Sequence, residues 1–289
     1  MRLKKINSLR IIKSVKEMQD ISLNIKKKGE KKIFVVPTMG ALHDGHLSLI
    51  KKAQKKNSII IVTIFVNPKQ FNDKNDLKKY PTNIKSDIEK LKNLKVDFLF
   101  IPRNQDIYPK NFQTKVVIEQ LQNHLCGLSR KDHFNGVTTV VLKIFNITQS
   151  DYAIFGEKDL QQLIIIKRMV KDLNLPIKIL SSKIIREKDG LALSSRNIRL
   201  TKKNRIIAPT IYRGLKICKE YFKSNNNLST SSIIKRLKKY YITNNIKGIE
   251  YIDIINPINI TYPNRPKKGD YIMVAVKLGS IRLIDNLKF

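Results

Sequence analysis

The chain is short of cysteine, of acidic residues and of long apolar runs, and each shortage excludes something. Two cysteines in 289 residues, Cys126 and Cys218, are too few for a disulfide framework and lack metal-ligand spacing. That usage fits a reducing cytoplasm. No apolar stretch approaches the roughly 20 residues that a membrane helix needs. Met1-Arg2-Leu3-Lys4-Lys5 lacks the uninterrupted apolar core of a secretory signal. No internal repeat and no nucleic-acid-binding module signature is found.

Acidic residues number 23 against 57 Lys plus Arg, a formal net charge of +34. Such a surplus raises the question of a polyanionic partner. Yet the lysines are spread over the whole length and come with abundant Ile and Asn, as in Lys26-Lys27-Lys28 and Asn225-Asn226-Asn227. Lys, Ile and Asn have A/T-rich codons, so the charge reads mainly as genome drift. No nucleic-acid or membrane partner is expected from it. The length and the 42% hydrophobic content suit a globular protein with a sizeable core and two domains.

The first two thirds alternate apolar runs with helical segments. Ile33–Val36, Ile59–Val66, Phe98–Ile101 and Asp151–Phe155 read as buried strands, and Asp159–Leu173 as an amphipathic helix stopped before Pro176. That alternation implies a parallel sheet with right-handed crossovers. Beyond about Lys183 the pattern changes to basic helices near Lys202–Lys223 and Ser231–Tyr241, then strands Gly248–Ile255 and Tyr271–Leu278. The expected organisation is a parallel α/β domain over residues 1–183 and a smaller α+β domain over 184–289. In open α/β sheets, ligands sit beyond the carboxyl ends of the strands.

Chemistry-bearing residues gather at such ends. Pro37-Thr38-Met39-Gly40-Ala41-Leu42-His43-Asp44-Gly45-His46 is a small-residue turn between a strand and a helix, with two of the four histidines on its last turn. Exposed backbone N–H groups and the positive end of the helix suit an anion such as a nucleotide polyphosphate. Gly40 and Gly45 are spaced as in a P-loop. Lys and Ser or Thr do not follow them, so that reading fails. Gly156-Glu157-Lys158-Asp159 is either a ligand-binding turn or a helix start stabilised by an acidic first turn. Asp189–Asn197, with Ser194, Ser195 and Arg196, is either a phosphate-gripping loop or a solvated turn. Gln70 and Gln162 suit a ligand with hydroxyls and a carbonyl, and His133 reads as a packing residue.

Taken in order, Pro37–His46, Phe65–Phe71, Tyr80-Pro81, His133–Val137, Phe155–Asp159 with Gln161-Gln162, Asp189–Asn197 and Arg282-Leu283-Ile284-Asp285-Asn286 closely resemble the pantoate–β-alanine ligases. The resemblance runs over nearly the whole chain. It implies a Rossmann-like nucleotidyltransferase fold of the HIGH superfamily, ATP and Mg2+, the substrates pantoate and β-alanine, an adenylate intermediate and a cytoplasmic homodimer. By resemblance, Met39, Gly40, Ala41, Leu42, His43, Asp44, Gly45 and His46 would lie along ATP, with His46 a proton donor. Lys158 would stabilise phosphate charge, Gly156, Glu157 and Asp159 would line the nucleotide, and Ile185 would meet adenine through its backbone. Leu193, Ser194, Ser195 and Arg196 would complete the ATP set. Gln70 and Gln162 would hold pantoate, and Gln70, Asn67 and Tyr80 would line the β-alanine position. The family pattern is departed from at Cys126, Lys131-Asp132, Thr82 and Lys277. Another adenylyltransferase of the same superfamily would need a second phosphate site and would not need the two glutamines. A basic nucleic-acid-binding protein would be salt-sensitive and indifferent to pantoate.

Overall fold

Continuous β-branched runs such as Ser58–Ile64 can be strands only where helices cover both faces of a sheet. The computed structural model describes residues 9–54, 58–225 and 227–289. The Met1–Lys5 segment and Asn226 lie outside the described residues. Two units separate. The first is built from residues up to Glu119 with Arg130–Glu157 and Ile165–Lys183, the second from Gln120–Ser129, Lys158–Ile164 and Ile184–Phe289.

The first unit holds a six-stranded sheet of β1 (Arg10–Ile12), β2 (Lys32–Thr38), β3 (Ser58–Ile64), β4 (Phe98–Phe100), β5 (Tyr152–Gly156) and β6 (Lys178–Ser182). The order is β1-β4-β3-β2-β5-β6, and every neighbouring pair is parallel. From β2 the chain winds outward to β3 and β4, then returns to the other side of β2 for β5 and β6. The gap between the β2 and β5 ends is therefore the topological switch point, where such sheets hold their ligands. On one face Phe34, Val36, Ile60, Val62 and Ile154 pack against Leu49, Ile50 and Ala53 of the helix Asp44–Ala53 and Leu91 of the helix Ile84–Asn93. The alternate residues Ile33, Val35 and Ile61 are equally buried, and helices Val15–Lys28 and His133–Thr148 pack against β2 and each other.

In the second unit β7 (Gly248–Ile255), β8 (Tyr271–Leu278) and β9 (Ile281–Lys288) form an antiparallel sheet. Helices Thr210–Ser224 and Thr230–Thr243 cover one face through Ile211, Leu215, Leu237 and Tyr241 against Ile254, Ile272, Val274 and Leu283. The basic run read as one helix near Lys202–Lys223 is two, Lys202–Ile207 and Thr210–Ser224. Pro209 breaks it, since proline has no amide to donate and clashes with the preceding turn. Among the described residues no helix is long and apolar enough to cross a membrane.

Asp151 fastens the start of β5. Its carboxylate accepts the Ile33 amide at 2.8 Å and the Lys26 ammonium at 2.7 Å. Burial pushes its pKa up, but the Lys26 and Ile33 hydrogen bonds outweigh that and leave it below the ordinary value. A carboxyl depressed on folding stabilises above its unfolded pKa, and the stabilisation fades as pH falls through the folded one. With Lys26 partly exposed, Asp151→Asn is expected to lose about 1 kcal/mol at neutral pH. In urea titrations the deficit should shrink below about pH 4; a deficit unchanged at pH 3 would refute the assignment.

Candidate active site

The turn after β2 is shaped by an acid from another helix. Asp87, 1% exposed, lies on the helix Ile84–Asn93 and accepts the Ala41 amide at 2.9 Å and the Leu42 amide at 2.7 Å. Lys90, from the same helix, donates to the Leu42 carbonyl at 2.6 Å. Gly40 has φ +83°, and a Cβ there would stand 3.3 Å from the Asp87 carboxylate, so the turn needs glycine. His43 then caps the helix Asp44–Ala53. Its Nδ1 accepts the Gly45 amide at 3.2 Å, and His46 Nδ1 accepts the His43 amide at 3.4 Å. The two rings lie 4.1 Å apart. With each Nδ1 taken by an amide, a neutral ring carries its proton on Nε2. Two N–H donors and a helix N-terminus thus share one location, an arrangement made for phosphate oxygens.

The loop after β3 lies beside that turn. Gln70 Nε2 donates to Met39 Sδ at 3.3 Å, and its Oε1 accepts Asn67 Nδ2 at 3.0 Å. Asn67, 1% exposed, also donates to the Gly136 carbonyl, while its Oδ1 accepts the Lys69 amide and the Tyr108 hydroxyl at 2.8 Å. Burial pushes the Tyr108 phenol up from its ordinary pKa, so it stays a donor. A Cβ on Gly136 would sit 2.3 Å from the Lys69 carbonyl; only glycine lets the helix His133–Thr148 back so closely onto this turn. His133 Nδ1 donates to the Gln70 carbonyl at 2.7 Å and its Nε2 accepts from Arg130 at 3.1 Å, with Arg130 also reaching that carbonyl. Tyr80 is buried, its ring edge-on to Phe71. After β5, Gly156 leads to Glu157, whose carboxylate accepts the Ser181 hydroxyl at 2.7 Å.

Lys158 and Asp159, which belong to the second unit, precede the helix Leu160–Asp172, with Lys158 Nζ 3.9 Å from the Asp159 carboxylate. Gln161 is 2% exposed and spent on structure, accepting the Cys126 amide and donating to the Leu121 and His124 carbonyls. Gln162, next to it, is half-buried. Ile185 and Leu193 face each other across a short hairpin, the Leu193 amide donating to the Ile185 carbonyl at 3.0 Å. Arg205 holds that hairpin through Glu187 and Asp189. Ser194 Oγ accepts the Arg196 amide at 3.3 Å and so starts the turn Ser195–Arg199.

The candidate residues divide between the two units. In the first are Met39–His46, Asn67, Gln70, Tyr80, Gly156 and Glu157; in the second are Lys158, Asp159, Gln162, Ile185 and Leu193–Arg196. Sequence reading missed Asp87, Tyr108 and the work of Arg130. Asp87 had a signal: it stands four residues before Leu91, on the apolar face of its helix, where an acid needs a reason. The departures have local accounts. Asp132 has φ +58°, a conformation Asp tolerates better than most residues. Cys126 Sγ lies 3.2 Å from the Tyr251 hydroxyl and accepts from Arg282, and Lys277 pairs with Glu250.

A doubly wound parallel sheet with a histidine-bearing helix start at its switch point defines a nucleotidyltransferase-type α/β protein. The family model for pantoate-beta-alanine ligase matches residues 10–288. The pantothenate synthetase of Thermodesulfovibrio yellowstonii is 43% identical over 282 residues, covering 96% of this chain and 99% of that protein. A crystal structure of pantothenate synthetase from Thermus thermophilus superposes with TM-score 0.89 at 35% identity, covering 96% and 99% of the two chains. That of the pantoate-beta-alanine ligase of Francisella tularensis, complexed with beta-gamma ATP and beta-alanine, gives 0.79 at 37% identity over 97% and 98%. The chain belongs to the pantoate–β-alanine ligase family.

Asp87→Ala should leave the Ala41 and Leu42 amides without their acceptor. We expect a loss of about 2 kcal/mol in urea unfolding and at least a ten-fold rise in KM for ATP, with KM for β-alanine little changed. A variant with an unchanged ATP response would show that the turn holds its shape unaided.

Proposed function

We propose that this ATP-dependent ligase joins pantoate to β-alanine in two steps through a pantoyl adenylate. A pantoate carboxylate oxygen attacks the α-phosphorus of ATP, the bond to the α,β-bridging oxygen breaks, and pyrophosphate leaves. The β-alanine amine then attacks the activated carbonyl carbon. The carbon–oxygen bond to AMP breaks and the nitrogen loses a proton, giving the amide. A carboxylate and an amine do not condense readily in water, so the reaction makes AMP the leaving group.

The observation that carries this reading is the pair of imidazoles at the helix start after β2, each with Nδ1 occupied by a backbone amide. Charge grows on the α-phosphoryl group and on pyrophosphate in the first step. Catalysis there is mainly positioning and preorganised positive charge. His43 and His46 donate from Nε2 to the phosphates, His46 as proton donor, and the Met39–Gly45 backbone lies along ATP. Lys158 offsets phosphate charge, and Gly156, Glu157 and Asp159 line the ribose side. Ile185 and Leu193 meet the nucleotide through the hairpin, and Ser194, Ser195 and Arg196 bind phosphate oxygens. Gln70 and Gln162 hold pantoate through their carboxamides. At the β-alanine position Gln70 and Tyr80 line the pocket. Asn67, with its carboxamide already engaged, acts there by holding Gln70 in place.

We further infer a cytoplasmic homodimer with Mg2+ brought in on ATP. Cys126 and Cys218 are both unpaired and buried, as a reducing compartment allows. Among the described residues no group of three or more His, Cys, Asp or Glu could hold a metal.

Pyrophosphate release from ATP should require pantoate, and AMP and amide should follow only when β-alanine is added. Release that ignores pantoate would refute the ligase reading. His46→Ala, folded by circular dichroism, should slow adenylate formation by roughly two orders of magnitude; a near-normal rate would remove His46 from the mechanism. Gln162→Ala should mainly raise KM for pantoate, and an effect confined to ATP would overturn its placement.

A further inference from the structure

Beyond the residues already given roles, the second unit contains a buried polar chain that the two-step reaction leaves unused. It centres on Asp285 and Asn286 in β9, which are 4% and 3% exposed. Adjacent strand residues point to opposite faces of a sheet, and these two serve different partners. Asp285 grips Arg186 with two hydrogen bonds, Oδ2 to Nη1 at 2.6 Å and Oδ1 to Nη2 at 2.8 Å. Arg186 lies 3.6 Å over the Tyr212 ring and donates to the Gly190 carbonyl. It is paired with Ala192 across the hairpin that leads into Ser194–Arg196. Asn286 Nδ2 donates to the Lys158 carbonyl at 3.2 Å, while its own amide donates to Asp285 Oδ1 at 2.8 Å.

The cost of this arrangement argues that it does something. A carboxylate and a guanidinium buried together contribute little net stability over apolar packing of the same volume. What a bidentate pair does supply is fixed geometry. Burial holds the Asp285 carboxyl above its ordinary range, against the opposing pull of Arg186, the Asn286 amide and the nearby Lys158 charge. Lys158 is thus held by its backbone, and its ammonium lies within electrostatic reach of the same carboxylate.

We propose that Asp285 and Asn286 are positioning residues for adenylate formation, with β9 acting as a common reference that sets the root of Lys158 relative to the hairpin preceding Ser194–Arg196. The proposal rests on Lys158 acting at phosphate, as inferred above. Asn286 would act by fixing the Lys158 backbone, and Asp285 by fixing Arg186. Neither touches substrate. Small displacements of a charged group at a reacting phosphate are costly to rate, so the effect should fall on the first step alone.

The test uses single-turnover kinetics on the full chain with Asn286→Ala, Asn286→Asp, Lys158→Ala and the Lys158→Ala/Asn286→Ala double variant. Asn286→Asp keeps the shape but removes the N–H donor. Both Asn286 variants should slow pantoate-dependent pyrophosphate release by roughly ten-fold or more. KM for pantoate should stay within about two-fold, and aminolysis of preformed adenylate by β-alanine should be unchanged. In the Lys158→Ala background Asn286→Ala should add less than about two-fold, because its effect passes through Lys158. Asn286→Asp at wild-type rate, equal slowing of both steps, or full additivity with a slow Lys158→Ala would overturn the positioning role alone. A Lys158→Ala variant at wild-type rate would overturn the reading of Lys158 and this proposal with it.

Discussion

A buried carboxylate meeting two backbone amides is the constraint on which the histidine-bearing turn after β2 depends. Taking Asp87 out of water costs several kcal/mol unless it is compensated. The Ala41 and Leu42 amides supply that compensation, with charge-assisted hydrogen bonds stronger than neutral ones. The exchange fixes the direction in which the chain leaves β2. That direction makes His43 the cap of the next helix, and the cap brings His46 back onto the His43 amide. The orientation of both imidazoles follows from one acid on a helix about 45 residues downstream.

Side-chain amides divide into two kinds here, and the division has chemical meaning. Asn67 and Gln161 are almost wholly buried, with donors and acceptors both taken by the protein. They are scaffold. Gln70 and Gln162 are half-buried, and the Gln70 amide donates to a thioether. Sulfur is a weak acceptor, easily exchanged for a hydroxyl or carboxylate of substrate. The backbone of Gln70 is meanwhile held rigidly by His133 and Arg130. The proposed role of Gln70 at a small polar acid draws on this combination of an exchangeable side-chain partner and a held backbone.

Much of the fold was legible along the chain because its strands are local and uninterrupted. β7 and β8 have the bounds their periodicity indicates, and the runs at Ile33, Ile59, Phe98 and Asp151 each became a strand within two residues. The unread strands have physical reasons. β1 is three residues long, β6 is a half-exposed edge, and β9 mixes Arg, Asp and Asn into an apolar pattern because its polar residues have partners far away. Among the candidate site residues, motif order and spacing pointed to the histidine turn, Gln70 and Lys158. Gln162, like Gln70, was singled out by the chemistry of its amide, and the family resemblance then gave both a role at pantoate. Gln161 is 2% exposed with its amide engaged by the protein, while Gln162 is half-buried.

Alternation of apolar runs and helices, a small-residue turn with two histidines after a strand, and an ordered succession of motifs determined the fold class and the family. These are properties of neighbours in the chain, so they need no folded structure to be read. Asp87 at the turn, Tyr108 and His133 behind the Asn67–Gln70 loop, and Asp285 with Asn286 behind Arg186 and Lys158 were decided only by tertiary structure. A hydrogen bond between residues far apart in the chain leaves no trace in local pattern. Its partners become known only when burial forces each polar group to find one.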